Sequence, residues 1–291
     1  MPPIENSPHQ PRVVCYHQTH YNKNGDFVSA LPLVTECEDL IGCSHLIVAA
    51  IHLNERAGDI TLNNDPPDAP KHDPLWEEVK VLQDVGIKVL GMLGGAAKGS
   101  FTRLDRSDAV FEEFYVPLRD VIRAHGLNGL DLDVEEKISL AGVVRLIDRL
   151  KADFGQAFII TLSPVATALQ GLRHISGFDY EALEVMRGSS IDCYHVQFYN
   201  NWGRLQDLSG MNTILRRGWK PEKVVVGVLT NAANGHGFIP FEELRWILVA
   251  LRQYVPKFGG VMGWEYFNSV PGGEDRPWEW AESMMKILRN G

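Results

Sequence analysis

No apolar run in the 291-residue chain approaches the roughly 18 residues that cross a bilayer, so a membrane-spanning protein is not expected. Positive charge is in short supply too. The 28 Lys and Arg stand against 37 Asp and Glu, a formal charge of −9, and a surface of that sign argues against nucleic acid or anionic lipid as a partner. Met1 to Pro11 have neither a basic start nor an apolar stretch, and no Asn-x-Ser/Thr sequon occurs anywhere. A secretory leader is therefore not expected, and residues 1–11 read as a flexible tail. Cysteine is scarce. Cys15 and Cys193 fall in predicted strands, where small buried thiols are common. Cys37 and Cys43, if both helical, would be about 9 Å apart along the axis, beyond disulfide reach. These features together predict a reduced, cytoplasmic protein. No Gly-x-Gly-x-x-Gly turn follows the first strand, which leaves an open dinucleotide-binding sheet unsupported. His17-x-x-His20 lacks the intervening Glu of a zinc-protease helix, so both histidines are expected to face solvent or substrate. No metal and no cofactor are expected.

What is present suits a large core: 45% of residues are hydrophobic and 22% charged, and one α/β barrel typically takes about 250 residues. Short β-branched or apolar runs recur at 12–16, 45–51, 88–93, 129–135, 158–163, 194–199, 223–229 and 260–264. Amphipathic segments lie between them. Ser139 can cap a helix whose Leu140, Val143, Val144, Ile147 and Leu150 share a face. Ser107 or Asp108 opens another, with Pro117 inside it predicting a kink or a late start. Further helices are expected near 74–85, 179–187, 207–217, 240–255 and 277–288. Eight alternations with right-handed crossovers close most simply into a single-domain (β/α)8 TIM barrel over residues 12–291.

The densest chemistry lies in Asn128-Gly129-Leu130-Asp131-Leu132-Asp133-Val134-Glu135. A strand period of two puts Asp131, Asp133 and Glu135 on one face and Leu130, Leu132 and Val134 on the other. Like charges so close raise one another's pKa, and burial raises them further. An exposed acidic edge would avoid that cost, but the apolar opposite face fits a barrel interior better. A metal site fits poorly, because same-face neighbours on a strand are about 6–7 Å apart, whereas a cation needs converging oxygens. Acid–base chemistry is the better reading.

This string resembles the signature of glycoside hydrolase family 18, Asp-Gly-x-Asp-x-Asp-x-Glu, which ends in the catalytic acid. Asn128 stands where the first Asp usually is. Met92-Leu93-Gly94-Gly95 matches the family's Ser-x-Gly-Gly at the end of the third strand, with Met92 in place of Ser. Gln197-Phe198-Tyr199 resembles its tyrosine motif, which implies that Tyr199 holds an N-acetyl carbonyl with Gln197 beside it. Trp264 matches the tryptophan floor under the reacting sugar, and the resemblance implies a cis bond between Trp264 and Glu265. Trp202, in the loop after the sixth strand, is a candidate sugar platform. Gly94, Gly95, Asn128 and Glu265 complete the expected substrate-binding set. Trp76, Trp246, Trp278 and Trp280 are expected to pack on helices.

The resemblance implies a substrate-assisted, retaining mechanism. Glu135 would protonate the leaving oxygen, the substrate's own acetamido oxygen would attack, and Asp133 would orient the acetamido N–H. Asp131 would share a proton with Asp133. Such an acid predicts an acidic to near-neutral optimum. The runs Leu31-Pro32-Leu33-Val34-Thr35-Glu36 and Gly259-Gly260-Val261-Met262-Gly263-Trp264-Glu265-Tyr266-Phe267-Asn268-Ser269 are similar to fungal endo-β-N-acetylglucosaminidases of the family. That implies action on N-glycans or glycoproteins, and a monomer is expected. An endochitinase is the alternative within the chemistry, and a catalytically silent carbohydrate-binding barrel the alternative outside it.

Overall fold

The computed structural model describes residues 10–37 and 41–290. The expected tail and the segment read for a leader lie almost wholly outside the described residues. Each predicted strand is present: β1 Arg12–His17, β2 His45–Leu53, β4 Lys88–Gly94, β5 Gly129–Asp133, β6 Ile159–Leu162, β7 Cys193–Gln197, β8 Val224–Leu229 and β9 Gly260–Trp264. These eight pair in parallel in the order β1-β9-β8-β7-β6-β5-β4-β2, and β1 pairs β2 to close the ring. The fold is a (β/α)8 barrel in one domain. One strand was not anticipated: β3, Ile60–Leu62, runs antiparallel on β2 outside the ring.

The helices are α1 Pro32–Thr35, α2 Asp73–Asp84, α3 Ser100–Leu104, α4 Asp108–Ala124, α5 Leu140–Phe154, α6 Ala166–Leu169, α7 Tyr180–Arg187, α8 Ser209–Arg216, α9 Phe241–Tyr254 and α10 Trp278–Asn290. None among the described residues is long and apolar enough to cross a membrane. The Ser139 hydroxyl accepts the Gly142 N–H at 3.0 Å, so the predicted cap on α5 is present. Pro117 lies inside a continuous α4, which starts at Asp108 rather than late. Pro lacks only one donor there, and the buried Phe111, Phe114, Leu118 and Ile122 hold the helix on the barrel.

Strand alternation sorts the side chains into two cores. Outward residues such as Val13, Leu46, Leu130, Leu132, Ile160 and Val196 pack against the helices. Each large aliphatic side chain buried in this way contributes about 1.5–3 kcal/mol. Inward residues form a second cluster with Val14, Tyr16, Ile47, Leu90, Met92, Val225 and Met262. This inner cluster floors the upper end of the barrel, where the polar inward residues sit.

Two expectations about packing need correction. His17 and His20 do not face solvent or substrate. His17 ends β1 and is fully buried, and its ring meets His20 at 4.9 Å and Tyr266 at 5.4 Å between centroids. The chain after β1 folds back over the barrel edge and encloses both rings. Trp246 is 68% exposed on α9 with the Arg245 guanidinium over its ring, whereas Trp76 and Trp280 are buried as expected. Cys37 and Cys43 lie outside the helices, and all four cysteines are free and buried.

Candidate active site

β5 carries the ladder of acids. Asp131 and Asp133 point into the barrel because Leu130 and Leu132 take the helix-facing side. The strand ends at Asp133, so Glu135 stands on the loop above it rather than within it. That loop is fixed on three sides. The next residue, Glu136, is buried and accepts the N–H groups of Gly99 and Phe101 at 2.8 Å and the Thr102 hydroxyl at 2.6 Å. Ser176 donates to the Val134 carbonyl at 2.8 Å. Asp105 holds Ser139 where α5 begins, accepting its N–H at 2.8 Å. Glu135 is thus aimed by neighbours that make no contact with the cavity floor.

At the end of β4 the chain turns sharply past β5. Gly94 has φ +96°, and a Cβ there would lie 2.6 Å from the Asp133 carbonyl oxygen and 2.4 Å from the Phe101 ring. Gly95 has φ +87° and donates its N–H to the Asp133 carbonyl at 2.9 Å. Only glycine fits both the left-handed backbone and the close approach. The two glycines therefore admit the sugar-sized opening beside Asp133.

The lowest acid, Asp131, is fully buried beneath four donors. Thr161 donates to one carboxylate oxygen at 2.6 Å, and Tyr16 and Ser163 donate to the other at 2.7 and 2.8 Å. His195 Nδ1 lies 3.3 Å from Asp131 and 2.8 Å from the Tyr16 hydroxyl. Burial pushes Asp131 up, but His195 and the Thr161 and Tyr16 hydroxyls outweigh it and hold the carboxyl below its usual range. Burial works against the His195 charge, yet the Cys193 sulfur and the Asp131 carboxylate lift it to about 9. Asp131 and His195 therefore form a buried ion pair. Thr161, Tyr16, Ser163 and His195 thus occupy the Asp131 carboxylate, and among the described residues no hydrogen bond joins it to Asp133.

The upper two acids behave differently. Burial pushes Asp133 well up, and the charges of Glu135 and Asp131 push it further, against His195 and a Gln197 amide at 3.1 Å. Burial also raises Glu135, with Gln197 opposing. Asp133 and Glu135 are thus both biased toward their protonated forms, one beside the other. That is the arrangement a proton donor needs beside a group that must become anionic.

A cavity of about 360 Å3 opens over these acids, lined among others by Gln18, Met92, Gly94, Gly95, Asp133, Glu135, Gln197, Tyr199 and Trp264. Gln197 is locked by its second bond, donated to the Ser163 carbonyl at 2.9 Å. Tyr199 lies just beyond β7, buried, with burial and the acids raising its hydroxyl pKa well above the ordinary value. Trp264 packs on Tyr16 at 5.6 Å between centroids, and the Trp264–Glu265 bond is cis as expected. Trp202 is half-buried in an adjacent hollow that also reaches Glu135.

Two expected substrate residues are not at the cavity. Asn128 sits at the opposite end of β5, where its side-chain oxygen accepts the Val89 N–H at 2.9 Å and the Gln83 amide at 3.1 Å. It closes the bottom of the barrel, because residues before the strand emerge on that side. Glu265 is buried outside the cavity wall. It accepts the N–H and hydroxyl of Thr19 at 2.9 and 3.0 Å and the Gln18 N–H at 3.2 Å, so it positions Gln18 rather than sugar. Tyr16, Thr161, Ser163 and His195 were missed in turn. Their signal was one inward polar residue on β1, one on β6 with Ser163 just past its end, and His195 with Gln197 on β7, without the repetition that makes the acid ladder conspicuous.

Comparison with known proteins agrees with this geometry. Residues 12–238 match the model for glycosyl hydrolases family 18. The chain is 54% identical to chitinase ChiC from Aspergillus fumigatus, with TM-score 0.87 over 94% of this chain and 98% of that one. It is 47% identical to a fungal endo-β-N-acetylglucosaminidase of the same family, with TM-score 0.92 over 97% of this chain and 99% of that one. Among sequences it is 28% identical to Chitinase 2 of Rhizopus oligosporus over 207 residues. That match takes in 65% of this chain but only 35% of the larger protein.

Proposed function

The chain belongs to glycosyl hydrolases family 18, and from that premise we propose that it is an endo-β-N-acetylglucosaminidase cutting the β-1,4 bond between the two core N-acetylglucosamines of N-glycans. Glu135 donates its proton to the glycosidic oxygen as that oxygen leaves the anomeric carbon. The carbonyl oxygen of the substrate's own acetamido group attacks the same carbon from the other face and gives an oxazolinium ion. Asp133 accepts the acetamido N–H and, as an anion, balances the charge that develops there. Tyr199 donates its hydroxyl to the acetamido oxygen, and Trp264 lies under the ring and keeps water from it. Glu135, now anionic, takes a proton from the water that opens the ion, with net retention. The buried Asp131–His195 pair holds Tyr16 and Ser163 beneath this step and stays charged throughout.

The observation that carries the N-glycan reading is the scarcity of aromatic platforms. Beyond Tyr199 and Trp264 in the cavity and Trp202 beside it, no Phe, Tyr or Trp lines either hollow; Met92 and Ile175 are the large apolar residues, and the rest are polar, charged or small. The strongly exposed aromatics described, Trp246 and Tyr254, belong to α9 and line neither hollow. A branched, hydroxyl-rich mannosyl glycan suits polar walls, whereas a long chitin chain favours a row of stacked rings. Endochitinase is the second reading, and the 54% identity to a chitinase favours it. The two are separated by incubating the protein with a high-mannose glycopeptide and with chitin oligomers. Release of glycan ending in one N-acetylglucosamine is expected, and cleavage of chitin alone overturns the assignment. In the same assay Glu135→Gln is expected to lose about 10²–10⁴-fold in rate, the usual contribution of a general acid.

A further inference from the structure

The sugar cavity holds two carboxyl groups, Asp133 and Glu135, and no Lys or Arg. Cations gather on the other side of Glu135. A hollow of about 600 Å3, bounded by Glu135 and Trp202, is lined by Lys98, Lys137 and Arg173. It shares Lys98, Thr102 and Glu136 with a further hollow of about 620 Å3 that adds Arg103 and Arg106. Five cations thus line one continuous trough that begins at the proton donor, in a chain whose formal charge is −9.

Arg145, Arg149, Arg187, Arg217 and Lys223 each pair with a carboxylate of a neighbouring element. Among the described residues no ion pair involves Lys98, Arg103, Arg106, Lys137 or Arg173. Of the carboxylates lining the trough besides Glu135, Glu136 gives its oxygens to Gly99, Phe101 and Thr102, and Glu55, in the outer hollow, makes no ion pair with the five cations among the described residues. A row of unpaired cations attracts an anion that the protein itself does not supply.

The donor fixes which half of the substrate meets them. Glu135 protonates the oxygen that leaves, so the trough beyond it receives the leaving half. Chitin is neutral on both sides of the cut and gains nothing from such a row. In an N-glycan the leaving half is one N-acetylglucosamine still joined to asparagine and its polypeptide. We infer that the trough lined by Lys98, Arg103, Arg106, Lys137 and Arg173 selects glycoproteins whose polypeptide is acidic around the glycosylated asparagine. This rests on the N-glycan reading and extends it from the sugar to the peptide.

The experiment uses three synthetic glycopeptides with one high-mannose glycan, its asparagine flanked by Asp and Glu, by Gln and Ser, or by Lys. Initial rates are measured at about 50 mM and about 500 mM salt. At low salt kcat/KM is expected to be about five-fold higher for the acidic peptide than for the neutral one, the effect of two or three exposed charge contacts. The Lys-flanked peptide is expected to be slowest. At high salt the differences are expected to shrink toward unity, as screening shortens to about 4–5 Å. The double substitution Lys98→Glu and Arg173→Glu changes exposed side chains and is expected to invert the order of the three peptides. Equal kcat/KM for acidic and neutral peptides at low salt, with all three cut, overturns the inference and leaves the N-glycan reading standing. Cleavage of none of them, with chitin oligomers cut, overturns both.

Discussion

Asp133 is charged only at a cost, and that cost can be measured. Its folded pKa is raised by burial and by Glu135 and Asp131, so the folded state binds its proton more tightly than the unfolded chain does. The group therefore favours folding at pH below its unfolded pKa of about 3.9, and the contribution is lost as pH rises through the raised value. Asp133→Asn keeps an acceptor for Gln197 and removes the ionisation. It is expected to raise Tm by a few degrees at pH 7, with the gain disappearing toward pH 4, while hydrolysis of a natural glycan falls. Thermal unfolding at both pH values checks it; an unchanged or lowered Tm at pH 7 rejects the cost assigned to this side chain. The ladder itself was legible because Asp, Asp and Glu at alternate positions opposite Leu, Leu and Val admit few uses. What Asp131 does was not legible. Its charge depends on Thr161, Tyr16, Ser163 and His195, which come from three other strands, and no local pattern announces that they converge.

The elements were readable from their periods, and their ends were not. β5 and β7 both stop short of the predicted span, at Asp133 and Gln197, and that difference puts Glu135 and Tyr199 on the rim instead of in the sheet. Backbone pairing with neighbours sets those ends. The turn after β4 shows how tightly the elements are fitted. Gly94→Ala would force a Cβ against the Asp133 carbonyl at a positive φ, in a buried turn with no room to retreat. It is expected to cost about 2–4 kcal/mol from backbone strain and overpacking and to lower activity by shifting Asp133. Denaturant melts with the circular-dichroism signal check the first part, and a cost under about 0.5 kcal/mol would show that the turn relaxes freely.

At the scale of the whole molecule, closing the ring buries groups that the chain alone would leave wet. His17, His20 and His72 form a run of buried rings near Tyr266, and burial lowers all three pKa values, that of His20 to about 4. Lys71 adds to the lowering at His20 and His72, and Asp65 and Asp73 oppose it at His72. Above about pH 6.5 these groups are neutral in both states. As pH falls from about 6.5 toward 4 the unfolded chain takes up protons that the folded one refuses, so stability is lost, by on the order of 3 kcal/mol for His20. Tm is expected to fall over that range, and less steeply in His20→Gln. Parallel slopes for the two proteins would contradict it. Sequence alone was sufficient for the barrel and the acid ladder, because a period of two or of 3.6 is written in adjacent residues, and for the family, because its motif is contiguous. Tertiary structure alone decided that Asn128 seals the base, that Glu265 braces a loop, that His17 and His20 are enclosed, and that five separated cations form one trough. Those facts depend on which strand ends and loops become neighbours once the sheet closes, a long-range relation that no local spacing encodes.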